Sequence, residues 1–315
     1  MSSDSRGVIL VAPHHFPDVN RERALAEEFG YELAVAADTS AFQRALPDAE
    51  IIMITPYARL TPADFPSMTK CRAVIRYGVG YDNIDVEAAA RAGIPVSIVP
   101  GTASEEVASH AIAMGLALAR RLTAGDAAIR DLGWGGIIGY DTPPLSELEV
   151  GVVGLGRIGR RVAQMYSAVG ARVRAYDPLV TVDSVEMAEL SAVLEDSDVV
   201  SLHLPLTDDT WNLISAEVLG RMRKGAVIVN VSRGGLIEES ALADALRSGH
   251  IAGAGIDTFA QEPLAPEHPL RSAPNTILTP HIAWRSNRST GALQGGAVER
   301  VRLVLTGQPL IDLVN

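Results

Sequence analysis

The stretch Glu149–Asp177, EVGVVGLGRIGRRVAQMYSAVGARVRAYD, constrains the fold of this chain more than any other. It opens on an apolar run (Val150, Val152, Val153) that reads as a buried strand, and Gly154-x-Gly156-x-x-Gly159 follows at once. A helical pattern then runs through Ile158, Val162, Ala163, Met165 and Tyr166 until Gly170 ends it. A second apolar strand, 171–176, stops on an acid, Asp177, 18 residues beyond Gly159. Each part suits a dinucleotide. The first glycine permits the tight turn, the second lets a pyrophosphate approach the backbone, and the third lets helix and strand pack closely. The helix N-terminus offers free N–H groups to phosphate, and Asp177 can accept hydrogen bonds from a ribose diol.

At 315 residues the chain is long enough for two domains. A net charge of −11 argues against a nucleic-acid-binding face. Cys71, the only cysteine, reads as part of an apolar strand, so neither a disulfide framework nor a Cys-based zinc site is expected. His14, His15, His203 and His268 form no convincing metal site. The N-terminal MSSDSRG lacks a signal pattern, and no apolar run reaches membrane-spanning length. A cytoplasmic protein with no membrane partner is the simplest expectation.

Residues 1–99 alternate short apolar runs (7–12, 32–36, 51–54, 73–77, 95–99) with helices or turns (21–29, 41–46, 61–68, 86–92), the signature of βα units and a parallel sheet. Pro13-His14-His15 stands where glycines would follow the first strand, so this region reads as a substrate domain. The sequence predicts a long helix over 102–122, with Thr102 and Glu105 as a capping box. It is apolar on nearly every face from Ala111 to Leu118, which suits a subunit interface. Residues 123–148, rich in Gly and Pro (Gly133, Gly135, Gly136, Gly139, Pro143, Pro144), read as a connecting loop. Further strands are expected at 198–204, 226–231, 254–258 and 276–279, and helices at 239–247 and 289–306. The expected architecture is therefore α/β: two doubly wound parallel-sheet domains, with a nucleotide domain over 101–284 inserted into a discontinuous substrate domain, 1–100 and 285–315.

Three polar residues end late strands: Arg233, Glu262 and His281. In open parallel sheets ligands bind outside the carboxyl ends of strands, so the three should share one cleft. Arg233 offers a planar fork for a carboxylate. His281 can exchange a proton near neutral pH, and Glu262 would orient it. With a hydride donor, this set suffices to reduce a 2-oxo acid. Singly, each residue also has an ordinary role: a solvated turn charge, a loop acid, a strand-end packing residue.

The surrounding words, 230–237 NVSRGGLI, 257–264 DTFAQEPL and 279–284 TPHIAW, resemble those of the D-isomer-specific 2-hydroxyacid dehydrogenases, as do Gly154–Gly159, 201–206 SLHLPL and 78–85 GVGYDNID. The resemblance runs from about Lys70 to Gly307 in the family's order. It implies a Rossmann domain within a flavodoxin-like one and NAD as cofactor. By position, Arg233 is the implied substrate-binding arginine, and Glu262 with His281 the acid–histidine pair. Val79 and Gly80 would offer N–H groups to the substrate carboxylate. Gly154, Gly156, Arg157, Ile158 and Gly159 would lie at the pyrophosphate, Asp177 at the adenosine ribose, and Asp257 at the nicotinamide amide. His203, Val231 and Ser232 would also line the cofactor. The family's members usually form homodimers through the nucleotide domain.

Within the family the likeness is strongest to the C-terminal-binding-protein-like branch, through Arg76, 106–111 EVASHA, 176–178 YDP and 281–284 HIAW. There, Arg76 and Trp284 would line the substrate pocket. Ser109 and Arg285 depart from the usual acid and aromatic. Glu262 argues against formate dehydrogenases, which pair the histidine with glutamine, and Val79 against phosphite dehydrogenases, which carry a lysine. The end at residue 315 implies no C-terminal regulatory domain of the kind seen in many phosphoglycerate dehydrogenases. An NAD(H)-sensing interaction module of the C-terminal-binding-protein type is the alternative from another class.

Overall fold

The structure, a computed structural model, describes residues 6–134 and 142–315. The chain separates into two units, Met1–Thr102 with Ser286–Asn315, and Ala103–Arg285. Each is built on an all-parallel sheet.

In the first unit, strands β1 (Val8–Val11), β2 (Glu32–Val35), β3 (Ala49–Ile54), β4 (Ala73–Arg76) and β5 (Val96–Ile98) lie in the order β2-β1-β3-β4-β5. Their near-continuous apolar runs follow from burial on both faces. Leu10, Ile52, Ile54 and Val74 point into one core with Phe42 and Met68. Their strand neighbours Ile9, Ile51, Met53 and Ile75 are equally buried, since successive side chains alternate faces. Helices α1 (Asn20–Phe29), α2 (Thr39–Ala45) and α3 (Val86–Arg91) connect the strands. Asp38 and Asp85 start α2 and α3 by accepting hydrogen bonds from the Ala41 and Ala88 N–H groups. The 61–68 stretch makes only a single 3-10 turn, Phe65–Ser67. Cys71 lies ahead of β4 rather than within a strand, and burial pushes its thiol up to about 12.

The second unit carries α4 (Ser104–Ala119), α5 (Leu122–Arg130), β6 (Glu149–Val153), α6 (Arg157–Ala168), β7 (Arg172–Tyr176), β8 (Glu186–Met187), α7 (Leu190–Glu195) and β9 (Val199–Leu202). It continues with α8 (Ala216–Arg221), β10 (Ala226–Asn230), α9 (Glu239–Arg247), β11 (Ile251–Ile256) and β12 (Thr276–Leu278). The sheet order is β12-β11-β10-β9-β6-β7-β8, so the topology reverses between β6 and β9. One apolar core covers each face, one around Leu202, Ile228 and Leu242, the other around Met114, Val152 and Tyr166. Helix α10 (Ser289–Leu305) returns to the first unit. There Gln294 Nε2 donates to the buried Glu22, which also accepts from the Tyr77 hydroxyl.

Several expectations are corrected. The long helix starts at Ser104, not Thr102, so the capping box does not form; Ala103 precedes it without a side-chain cap. Glu105 and Glu106 still occupy its first turn, where acids complement the helix dipole. Arg121, at φ 55°, separates α4 from α5, which occupies part of the expected loop. Gly135, Gly136 and Gly139 of that loop, and residues 1–5 of the N-terminal stretch, lie outside the described residues. β8 and the first three residues of β11 were not foreseen. Among the described residues no helix is long and apolar enough to cross a membrane. None of their His, Cys, Asp and Glu side chains gather into a metal-binding cluster.

α4 packs on α6 at Gly115, where a Cβ would come 2.0 Å from the hydroxyl of the fully buried Tyr166. Gly115→Ala is therefore expected to lower stability by about 1–3 kcal/mol through overpacking. A Cβ on Gly220, within α8, meets nothing within 4 Å. Gly220→Ala should raise stability by about 0.4–1 kcal/mol. Urea unfolding of the two variants checks the opposite signs.

Candidate active site

The turn from β6 into α6 is built for an anion. Gly154 sits at φ 98°, and a Cβ there would lie 2.7 Å from the His203 carbonyl carbon. A Cβ on Gly159 would strike the Gly154 carbonyl oxygen at 1.9 Å, so these two glycines serve the protein's own packing. Gly156 differs: its Cβ would meet nothing within 4 Å, so its bare backbone leaves room for a ligand. The first turn of α6 holds no acid and begins at Arg157. A cation there opposes the helix dipole unless an anion joins it. Arg160 Nε holds the turn by donating to the Leu155 carbonyl at 2.8 Å.

Asp177 directly follows β7 and fastens this turn to it. Its Oδ2 accepts from the Leu155 N–H at 2.6 Å, and its Oδ1 from the Leu179 and Val180 N–H groups at 2.9 and 3.0 Å. A carboxylate accepts about four hydrogen bonds, so Oδ2 keeps capacity for a ribose hydroxyl. Tyr176, Asp177, Met187, Ala188 and Glu189 line a depression beside it. The glycine cradle, the anion-seeking helix start and the acid beside a depression fit a dinucleotide.

The carboxyl ends of β9 to β12 supply the rest of this unit's polar set. After β9, His203 Nε2 lies 2.8 Å from Ser201 Oγ, and burial pushes its ring down to about 3, so it is neutral near pH 7. Its Nδ1 and the Thr258 hydroxyl are buried with no partner among the described residues. Such atoms are costly to leave unpaired, which suits a polar ligand nearby. Val231 is buried, and Ser232 Oγ donates to the Leu202 carbonyl at 2.9 Å. Asn230, unassigned from sequence, accepts from the Ser232 N–H and donates to the Arg233 carbonyl, shaping the turn that presents Arg233.

His281 Nδ1 lies 2.8 Å from Glu262 Oε2. A carboxylate only accepts, so Nδ1 carries the proton and Nε2 points away from the pair. Glu262 Oε1 accepts from the Phe259 N–H at 3.0 Å. Its loop is backed by Glu239, which accepts from the Ala260 N–H and lies 3.1 Å from His268 Nε2. His281 is left-handed, φ 53°, and donates its N–H to the Asp257 carbonyl. Trp284 Nε1 donates to the His281 carbonyl at 3.0 Å, and the Arg285 guanidinium stacks over its indole at 5.5 Å. Asp257, 1% exposed, accepts from the Thr279 hydroxyl and the Ile282 and Ala283 N–H groups. Thr279 and His110, which reaches Thr279, were not singled out in the sequence. Their partners lie too far along the chain for any local pattern.

Arg233, Glu262, His281 and Trp284 thus share one unit, while Arg76, Val79 and Gly80 belong to the other. The Gly78–Gly80 loop follows β4, with Gly78 at φ 114°. Arg76 is buried beneath it, its Nη1 bonded to the Tyr77 carbonyl and 2.8 Å from where a Gly78 Cβ would stand. Val79 is half exposed, and neither its N–H nor that of Gly80 is bonded among the described residues.

Fold and site together define a two-unit α/β protein with a dinucleotide-binding half. Residues 112–283 match the family profile of the D-isomer specific 2-hydroxyacid dehydrogenase, NAD binding domain. A glyoxylate reductase of Korarchaeum cryptofilum is 39% identical over 262 residues, 80% of this chain and 78% of its own length. A D-3-phosphoglycerate dehydrogenase of Mycobacterium tuberculosis is 35% identical over 313 residues, 98% of this chain. The chain spans only 58% of that protein's length. The D-lactate dehydrogenase of Aquifex aeolicus, solved with NAD and lactic acid, superposes with a TM-score of 0.87 at 28% identity, covering 95% of this chain and 96% of its own. The chain belongs to the D-isomer-specific 2-hydroxyacid dehydrogenase family and carries its NAD-binding domain.

Burial alone would raise the Glu262 carboxyl above its ordinary 4.5, but the His281 bond and charge, the Phe259 N–H and the Arg233 field outweigh it and hold it below. A folded pKa below the unfolded one means stabilisation that is complete above 4.5 and lost as pH falls through the lowered value. Glu262→Gln should therefore be less stable near neutrality, with the gap closing in acid. Urea midpoints from about pH 6 down to about pH 3 check this. A gap that widens in acid contradicts it.

Proposed function

We propose that this protein is an NAD-dependent D-2-hydroxyacid dehydrogenase, interconverting a 2-oxo acid and its 2-hydroxy acid with His281 as acid and base. The observation that carries the reading is the 2.8 Å His281–Glu262 pair, with Nε2 pointing away from Glu262 and the pair within the field of Arg233. The relatives named above are a reductase and two dehydrogenases, which favours turnover over an NAD(H)-sensing interaction module.

The cofactor, when bound, supplies the hydride. Gly156 and the first turn of α6 receive the pyrophosphate, and Asp177 the adenosine ribose. Arg233 takes the substrate carboxylate in its planar fork. His281 Nε2 gives its proton to the substrate oxygen in the reducing direction and takes it back in the other. Glu262 steadies the imidazolium present before that proton is given and after it is taken back. Trp284, anchored through its N–H, presents a stiff aromatic wall suited to a medium-sized apolar side chain. Arg76, whose Nη1 is bonded to the Tyr77 carbonyl, supports the Gly78–Gly80 turn.

A second copy of the chain is the partner we infer. Leu122 and Ile129 on α5, with Leu132 and Trp134 just beyond, expose large apolar groups in one short stretch. Sedimentation at twice the chain's mass checks it, and a monomer at micromolar concentration contradicts it.

His281→Ala should lose on the order of 10²–10⁴ in kcat while still binding NADH. Near-wild-type turnover in that variant removes the mechanism. NADH should be preferred over NADPH, because Asp177 repels a 2′-phosphate and Pro178-Leu179 offers no cation to hold one. Equal kcat/KM for the two reduced cofactors contradicts this.

A further inference from the structure

We propose that His110 and Thr279 are positioning residues for His281, acting through the buried carboxylate of Asp257. The proposal rests on the reading of His281 as the proton donor. Asp257 controls the turn that presents His281 in two ways. Its carbonyl accepts the His281 N–H at 2.8 Å. Its carboxylate accepts the N–H groups of the next two residues, Ile282 and Ala283, each at 2.9 Å. The backbone on both sides of the left-handed His281 is therefore held by one residue of another strand end. A non-glycine residue keeps such a conformation only where its surroundings over-determine it.

The Asp257 carboxylate is itself held. It is 1% exposed, and the third donor to it is the Thr279 hydroxyl, on Oδ1. Since that hydroxyl proton is committed to a carboxylate, Thr279 Oγ1 must accept from its other neighbour, His110 Nε2, at 3.1 Å. This assigns the tautomer: His110 carries a proton on Nε2. That nitrogen also lies 3.9 Å from Asp257 Oδ1, so its N–H dipole further favours the charge on the buried carboxylate. The chain of contacts runs from α4 to Thr279, to Asp257, to the His281 turn, joining residues 169 apart in sequence. Neither His110 nor Thr279 touches Glu262 in this network, so the His281–Glu262 bond and the Asp257 anchor are two independent supports. One orients the ring, the other the backbone that carries it.

The test uses the full chain with Thr279→Val and Thr279→Ser, and His110→Phe and His110→Gln, the serine keeping the hydroxyl and the glutamine an N–H donor. Steady-state kinetics with NADH and a 2-oxo acid are paired with hydrogen exchange at the Ile282 and Ala283 amides, which needs no substrate. Thr279→Val and His110→Phe should lower kcat by roughly 10- to 100-fold, the scale of a small misplacement of a reacting group. KM for the 2-oxo acid should stay within about threefold, because Arg233 is not in the network. Exchange at Ile282 and Ala283 should quicken by about tenfold or more. Serine and glutamine should restore most of both. If kcat stays within about twofold in Thr279→Val and His110→Phe, or falls as far in Thr279→Ser as in Thr279→Val, the proposal is overturned. Should Thr279→Val fail to fold, the His110 site, whose side chain is only part-buried, decides alone. If the wild type reduces no 2-oxo acid, the dehydrogenase reading falls, and the positioning role falls with it. Exchange then reports separately whether the network holds the turn.

Discussion

Every strand pairing in both sheets is parallel, and the rest of the structure depends on that constraint. Parallel strands need crossover connections, and crossovers place helices on both faces. The faces are then closed to solvent, as the two cores around β6 and β9 show. Polar chemistry is pushed to one edge of each sheet, where strand carbonyl ends and loops are free. In the second unit that edge carries Asp177, His203, Arg233, Asp257 and His281 in succession, one from nearly every strand. The reversal between β6 and β9 parts the connections there, and the Gly154 turn packs directly against the His203 backbone across the gap.

Much of this was legible in the chain because it is local. An apolar run, three spaced glycines and a terminal acid describe β6, α6 and β7 within 29 residues, and burial on both sheet faces makes the strands apolar throughout. What the sequence did not disclose is tertiary. Thr102 and Glu105 have capping-box spacing, but the helix begins two residues late, so the pattern has no N-terminus to cap. α5 sits in a stretch whose neighbouring glycines and prolines read as loop, yet Leu122–Arg130 itself contains only one glycine. β8 is two residues long, below any periodicity.

The candidate site divides the same way. Arg233, Glu262 and His281 stand out because each puts a charge or an imidazole in the stretch that follows a late strand. Their supports do not stand out: Asn230, Glu239, His110 and Thr279 are ordinary residues in ordinary places. Only folding shows that Asn230 shapes the Arg233 turn and that Glu239 backs the loop of Glu262. Trp284 is half legible in the same sense. A conspicuous aromatic beside the histidine reads as a pocket wall, and only the fold adds that its indole N–H is anchored on the His281 carbonyl.

The left-handed backbone at His281 bears on how this chain could change over time. A side chain with a Cβ pays a conformational penalty there that glycine and, to a lesser degree, asparagine avoid. If His281 is the proton donor proposed above, the position sets two selective pressures against each other, folding favouring glycine and proton transfer requiring an imidazole. A lineage released from the need for turnover would drift first at this residue, gaining stability as it lost chemistry. On the reading of His281 as proton donor, histidine at 281 is in that sense a record of use, set against the preference of the backbone beneath it.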